Sequence, residues 1–125
     1  YVQYAHARIA SILRLAETRG LLGHDGDVSL IRHPAELTLI RKMLELPELV
    51  ALAATNLEPH HLPHYALDLA SVFHSFYKQC KVMSEDVDLT RARLKLVTAA
   101  QFALRNTLDL IGVTAPEQMF REDVE

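Results

Sequence analysis

The chain has 125 residues, of which half are hydrophobic; 13 are Lys or Arg and 16 are Asp or Glu, for a net charge of −3. So much aliphatic side chain offsets the ordering entropy of the backbone, which excludes a disordered chain, and at this length a single hydrophobic core is expected. Four glycines, five prolines and no tryptophan leave too little turn chemistry for a fold of many short strands, and a lone cysteine, Cys80, excludes an internal disulfide and a four-thiolate zinc site.

Val2, Ala5, Ile9, Ile12, Leu13 and Ala16 recur at helical spacing and predict a first helix to about Thr18, stopped by Gly20 and Gly23. Gly23 to Asp27 reads as a turn or mobile loop, and a short apolar run from Val28 to Ile31 leads into His33-Pro34. Leu37, Ile40, Met43 and Leu44 define a second helix beginning near Ala35, which Pro47 interrupts. Because proline suits a first turn, Leu46-Pro47-Glu48 starts a third helix that reaches about Thr55. Glu58-Pro59 starts a fourth, with Leu62, Ala66, Leu69, Phe73, Phe76 and Cys80 on one stripe; Pro63 is tolerable there only in the first turn.

Asp88 is placed to cap a fifth helix marked by Leu89, Ala92, Leu96, Ala99, Ala100, Ala103 and Leu110. Gly112 sits where a left-handed terminating residue is wanted, with Pro116 just beyond. The expected fold class is therefore all-α, a compact antiparallel bundle of about five helices. No apolar run reaches the roughly 20 residues of a membrane span, so no membrane partner is expected and the localisation expected is cytoplasmic. The chain opens at Tyr1 without an initiator methionine and reads as part of something longer.

His60 and His64 lie one helical turn apart and could face a metal together, but no carboxylate or thiol is fixed beside them and solvated histidines are the plainer reading. No metal site is assigned. His6 and His74 lie within helices and are read as capping or contacting polar partners rather than as bases. Cys80 falls on the apolar stripe, where a free thiol behaves as a small core residue. No glycine loop with lysine and a flanking strand is present to cradle phosphate, so no catalytic residue is assigned. An acidic net charge opposes nucleic-acid binding, yet Arg8, Arg14 and Arg19, Lys78 and Lys81, and Arg91, Arg93, Lys95 and Arg105 form local basic groups. Tyr1, Tyr4 and Tyr77 sit among them and offer stacking faces for unpaired bases; the alternative is that the cations only solvate helix faces.

The opening Tyr1-Val2-Gln3-Tyr4-Ala5-His6-Ala7-Arg8-Ile9 resembles the start of the C-terminal anticodon-binding domain of arginyl-tRNA synthetases. Three further stretches agree in the same order. Glu58-Pro59-His60 with Tyr65 and Asp68-Leu69-Ala70 is similar to the family's central helix, continued by Phe73-His74-Ser75-Phe76-Tyr77. Thr90-Arg91-Ala92-Arg93-Leu94, and Arg105-Asn106 through Leu110-Ile111-Gly112-Val113 to Ala115-Pro116-Glu117-Gln118-Met119, resemble its last helix and terminus. The likeness covers residues 1–119, expected to be one DALR-type domain, with 120–125 as a C-terminal extension or tail.

What the resemblance implies is an all-helical module that grips the anticodon stem and loop of arginine tRNA and follows a catalytic domain in the same chain. The parent enzyme, a class I synthetase and a monomer by family default, joins arginine to its tRNA through an arginyl-adenylate with ATP and magnesium. This fragment itself is expected to hold neither the active site nor a cofactor. The family's aromatic anticodon contacts match Tyr1, Tyr4 and Tyr77, and its chain-closing methionine matches Met119. Gln3 and Arg8 match positions near the anticodon loop, whereas His6 and Arg93 are expected to be architectural. Family members commonly finish Glu-Arg-Met, whereas Gln118 stands before Met119 here. Two alternatives are a helical protein-interaction or scaffold domain, and the same fold in another synthetase such as the glycine enzyme's larger subunit.

Overall fold

The computed structural model describes residues 1–21, 23, 25–56 and 61–114. Its helices are α1 (Val2–Thr18), α2 (Pro34–Leu44), α3 (Leu46–Asn56), α4 (His61–Gln79) and α5 (Val87–Thr114), with one turn of 3-10 helix at Val28–Leu30. Among the described residues there is no strand. The architecture is the all-helical bundle that the periodicity predicts.

Helix α4 is central and touches all four other helices. Its stripe of Leu62, Tyr65, Ala66, Leu69, Ala70, Phe73 and Phe76 is buried, and Ile9 of α1, Leu39 of α2 and Leu94, Val97 and Leu104 of α5 close around it. Pro63 is the third residue of α4, where the amide it lacks would have no partner within the helix.

The helix ends are set by local hydrogen bonding. Gly20 takes the left-handed conformation, φ 70°, and lets the Leu21 amide donate to the Ala16 carbonyl and the Gly20 amide to the Glu17 carbonyl, which terminates α1. Gly112 does not act this way, because α5 continues through it to Thr114. Just before it, Ile111 packs with Leu62 and Ala66 of α4, and a glycine inside a helix costs only roughly 1 kcal/mol relative to alanine. The cap of α5 is Asp86 rather than Asp88: its Oδ1 accepts from the amides of Asp88 at 3.1 Å and Leu89 at 3.3 Å. The helix starts there because Thr90 Oγ1 accepts from the Ser84 amide and donates to the Ser84 carbonyl, which closes the link from α4.

After α1, Gly23 and residues 25–33 form a strap whose two glycines, Gly23 and Gly26, pack closely on α5. A methyl group at Gly23 would lie 2.7 Å from the Leu94 carbonyl carbon, and one at Gly26 would lie 2.7 Å from that of Arg91, so only glycine allows this approach to α5. The strap ends at His33, whose Nδ1 accepts from the Ala35 amide while Glu36 Oε1 accepts from the His33 amide, a reciprocal cap at the start of α2.

Two long-range polar contacts fix the helices axially. Glu36, 1% exposed, meets Arg93 Nε at 2.9 Å, and Arg93 Nη1 donates to the Lys81 carbonyl at 2.7 Å, so one guanidinium joins α2, the α4–α5 link and α5. Arg93 is therefore architectural, as expected. The Tyr65 hydroxyl donates to the Lys42 carbonyl at 2.6 Å, and burial, with the Glu45 charge second, pushes its pKa up to about 12.

Arg93→Ala should cost about 3 kcal/mol in urea unfolding, because it strands the Glu36 carboxylate in the core. Tyr65→Phe, which deletes one hydrogen bond, should cost about 1 kcal/mol in the same measurement.

Candidate nucleic-acid interface

Ala5, Ile9, Ile12 and Ala16 are the buried positions of α1, so Tyr4, Arg8, Ser11 and Leu15, each one residue earlier, form a rim beside the core stripe. On α4 the buried Phe73 and Phe76 are followed directly by His74 and Tyr77. Because α1 packs on α4, the two rims meet.

Arg8 is the centre of the cluster. Its guanidinium carbon lies 4.4 Å from the Tyr77 ring centroid and 5.1 Å from that of Tyr4, and Nη2 donates to the Tyr4 hydroxyl at 2.6 Å. The cation is thus held against two π faces, an attraction that persists at a surface while leaving donors for an anion or a base edge. Tyr77 in turn stacks on Phe73, with centroids 6.4 Å apart and planes 27° apart, which anchors it to the core. A groove of about 360 Å³ opens beside them, lined by Tyr4, Ala7, Arg8, Ser11, Ile12, Leu15 and Tyr77. Tyr1 is 64% exposed, Tyr4 59% and Tyr77 37%, so all three rings present surface to solvent.

The structure therefore brings together four of the sequence-derived site residues, Tyr1, Tyr4, Arg8 and Tyr77. Gln3 lies on the other flank of α1, in a second groove of about 220 Å³ with His6, Arg105, Leu108 and Asp109; Ala7 borders both grooves. Met119 lies outside the described residues, as does His60 of the histidine pair.

His74 belongs to this cluster and was assigned no such place from the sequence. Its imidazole lies 5.1 Å from the Tyr1 ring, edge to face, and 5.6 Å from the Tyr4 ring. Burial first, then the charges of Arg8 and Lys78, lower its pKa below the ordinary 6.5, so the neutral ring is favoured. Its position three residues before Tyr77 was the available signal, since that spacing puts both on one helix face.

Other chemistry is less developed. Cys80 is buried and its thiol is pushed up by that burial, then by the nearby Glu36 charge, which is the environment of an inert core thiol. Among the described residues no three His, Cys, Asp or Glu side chains converge, and no helix is long and apolar enough to cross a membrane.

The rim thus gathers phenol rings and a guanidinium on one surface of the bundle. The family model described as the DALR anticodon binding domain matches residues 2–119. The chain belongs to that family. Among its relatives, the arginine–tRNA ligase of Dehalococcoides mccartyi (strain ATCC BAA-2100) is 57% identical over 119 residues, covering 95% of this chain and 21% of that protein. The arginine–tRNA ligase of Moorella thermoacetica is 54% identical over 122 residues, and that of Listeria monocytogenes serotype 4a is 50% identical over 121, each with 95% of this chain and 22% of the relative covered. The DALR domain thus spans about a fifth of the length of these relatives.

The lowered His74 pKa makes a linkage prediction. Unfolded, the imidazole takes up its proton as pH falls through 6.5, whereas folded it resists, so its contribution to stability is present above pH 6.5 and is lost as pH drops below it. Urea unfolding should therefore show lower stability near pH 5.5 than near pH 7.5, with a smaller fall in His74→Phe.

Proposed function

We propose that this domain is the anticodon-binding part of an arginine–tRNA ligase and grips the anticodon stem and loop of arginine tRNA. The observation that carries the reading is the shared rim of Tyr1, Tyr4, Arg8 and Tyr77 in a DALR-family chain. Tyr1, Tyr4 and Tyr77 receive splayed bases on their flat faces, and Arg8 supplies charged donors to phosphate or base acceptors. Gln3 reaches the nucleic acid from the opposite flank of α1, and Met119 forms an adjustable apolar wall.

In this reading the anticodon-binding domain occupies residues 1–119, with 120–125 a C-terminal extension or tail. A catalytic domain on the same chain receives the acceptor end of the tRNA, and ATP and magnesium act there. The whole enzyme works as a cytoplasmic monomer. Because the chain carries a net charge of −3, phosphate attraction is local to the rim and its neighbouring cations, and base stacking supplies much of the grip.

Tyr77→Ala in the full-length ligase should raise the KM for tRNA by the equivalent of one lost stack, about 1–3 kcal/mol, with the KM values for arginine and ATP little changed. An unaltered tRNA KM would overturn the reading. A scaffold domain would instead bind its partner through an apolar helix interface, which salt does not weaken, so a loss of affinity as salt rises separates anticodon binding, with its phosphate contacts, from that role.

A further inference from the structure

Tyr1 and Tyr4 are more than half exposed, so burial does not orient their rings. Both rings meet the imidazole of His74 instead, at 5.1 Å with planes 71° apart for Tyr1 and at 5.6 Å with planes 38° apart for Tyr4. Behind it, the same imidazole contacts Phe73, edge to face at 6.0 Å, and Phe73 is fully buried. His74 is thus the link between a rigid core ring and two surface phenols. Its Nε2 is buried without a hydrogen-bond partner, so the link is made by ring faces and not by a hydrogen bond from that nitrogen.

We propose that His74 is a positioning residue for nucleic-acid recognition, holding the Tyr1 and Tyr4 rings in the orientation that receives unstacked bases. The inference rests on the anticodon-binding reading of this rim and adds a residue to it. The physical advantage is preorganisation: a phenol already fixed in its bound orientation loses less rotamer freedom when a base stacks on it. Tyr4 has a second restraint in the hydrogen bond to its hydroxyl from Arg8, so the effect should be larger at Tyr1. Aromatic pairs of this geometry carry enough energy to bias a surface side chain between rotamers.

The test uses the full-length ligase, with tRNA KM and kcat, arginine and ATP KM values, and thermal midpoints measured for each variant. His74→Ala should raise tRNA KM by about fivefold with kcat and both small-substrate KM values unchanged, from the loss of two ring contacts. His74→Phe, which retains a flat ring, should recover most of that loss, whereas His74→Gln should not. The decisive comparison is in a Tyr1→Ala/Tyr4→Ala background: if His74 acts through those rings, its replacement there adds nothing further. Equal losses in both backgrounds, or recovery by Gln as complete as by Phe, would overturn the proposal. Should His74→Ala fail to fold, the Phe and Gln variants carry the same comparison. Tyr77→Ala separates the two readings. If it raises tRNA KM while His74→Ala does not, the positioning role alone fails; if neither does, both fail.

Discussion

Ala5 and Ile9 of α1 and Phe73 and Phe76 of α4 have no exposed surface, and the register in which these residues pack is the constraint on which the surface site depends. A helix places consecutive residues about 100° apart, so whatever stands one position from a core residue lies at the edge of the contact. Tyr4 and Arg8 precede Ala5 and Ile9, and His74 and Tyr77 follow Phe73 and Phe76. Sliding α1 by one turn along α4 would keep an apolar interface but would separate Arg8 from the Tyr77 face. The cluster is thus a by-product of core packing, and its precision is that of the core.

That register is held by features far from the rim. The Glu36–Arg93 pair and the Tyr65–Lys42 hydrogen bond tie α2 to α5 and to α4, so the helices behind α4 cannot slide independently. The Gly23 and Gly26 strap lies against the α5 backbone, where any side chain would collide. These contacts hold the helices that pack against α4.

Electrostatics divides the molecule in the same way. The chain is acidic overall, yet the rim holds a guanidinium between two phenols and a histidine whose neutral form is favoured. Arg8 is oriented by two π faces and one hydroxyl, contacts that leave its positive charge unneutralised. Arg93, of the same type, has its charge consumed by Glu36 and does structural work.

The sequence by itself determined the helical class, the position of each helix to within a few residues and the apolar stripe of α4, because these follow from period and from local capping. The ordered resemblance also pointed to Tyr1, Gln3, Tyr4, Arg8, Tyr77 and Met119 as the candidate site. What only the tertiary structure decided depends on contacts between segments distant in the chain. It put Gln3 in a different groove from Tyr4, added His74 to the rim, paired Arg93 with Glu36 and turned the strap after α1 into a packed element. It also carried α5 through Gly112 and moved its cap to Asp86, where the Ser84–Thr90 closure sets the start of the helix. Spacing along a helix tells which residues share a face, but only packing tells which face a neighbour occupies.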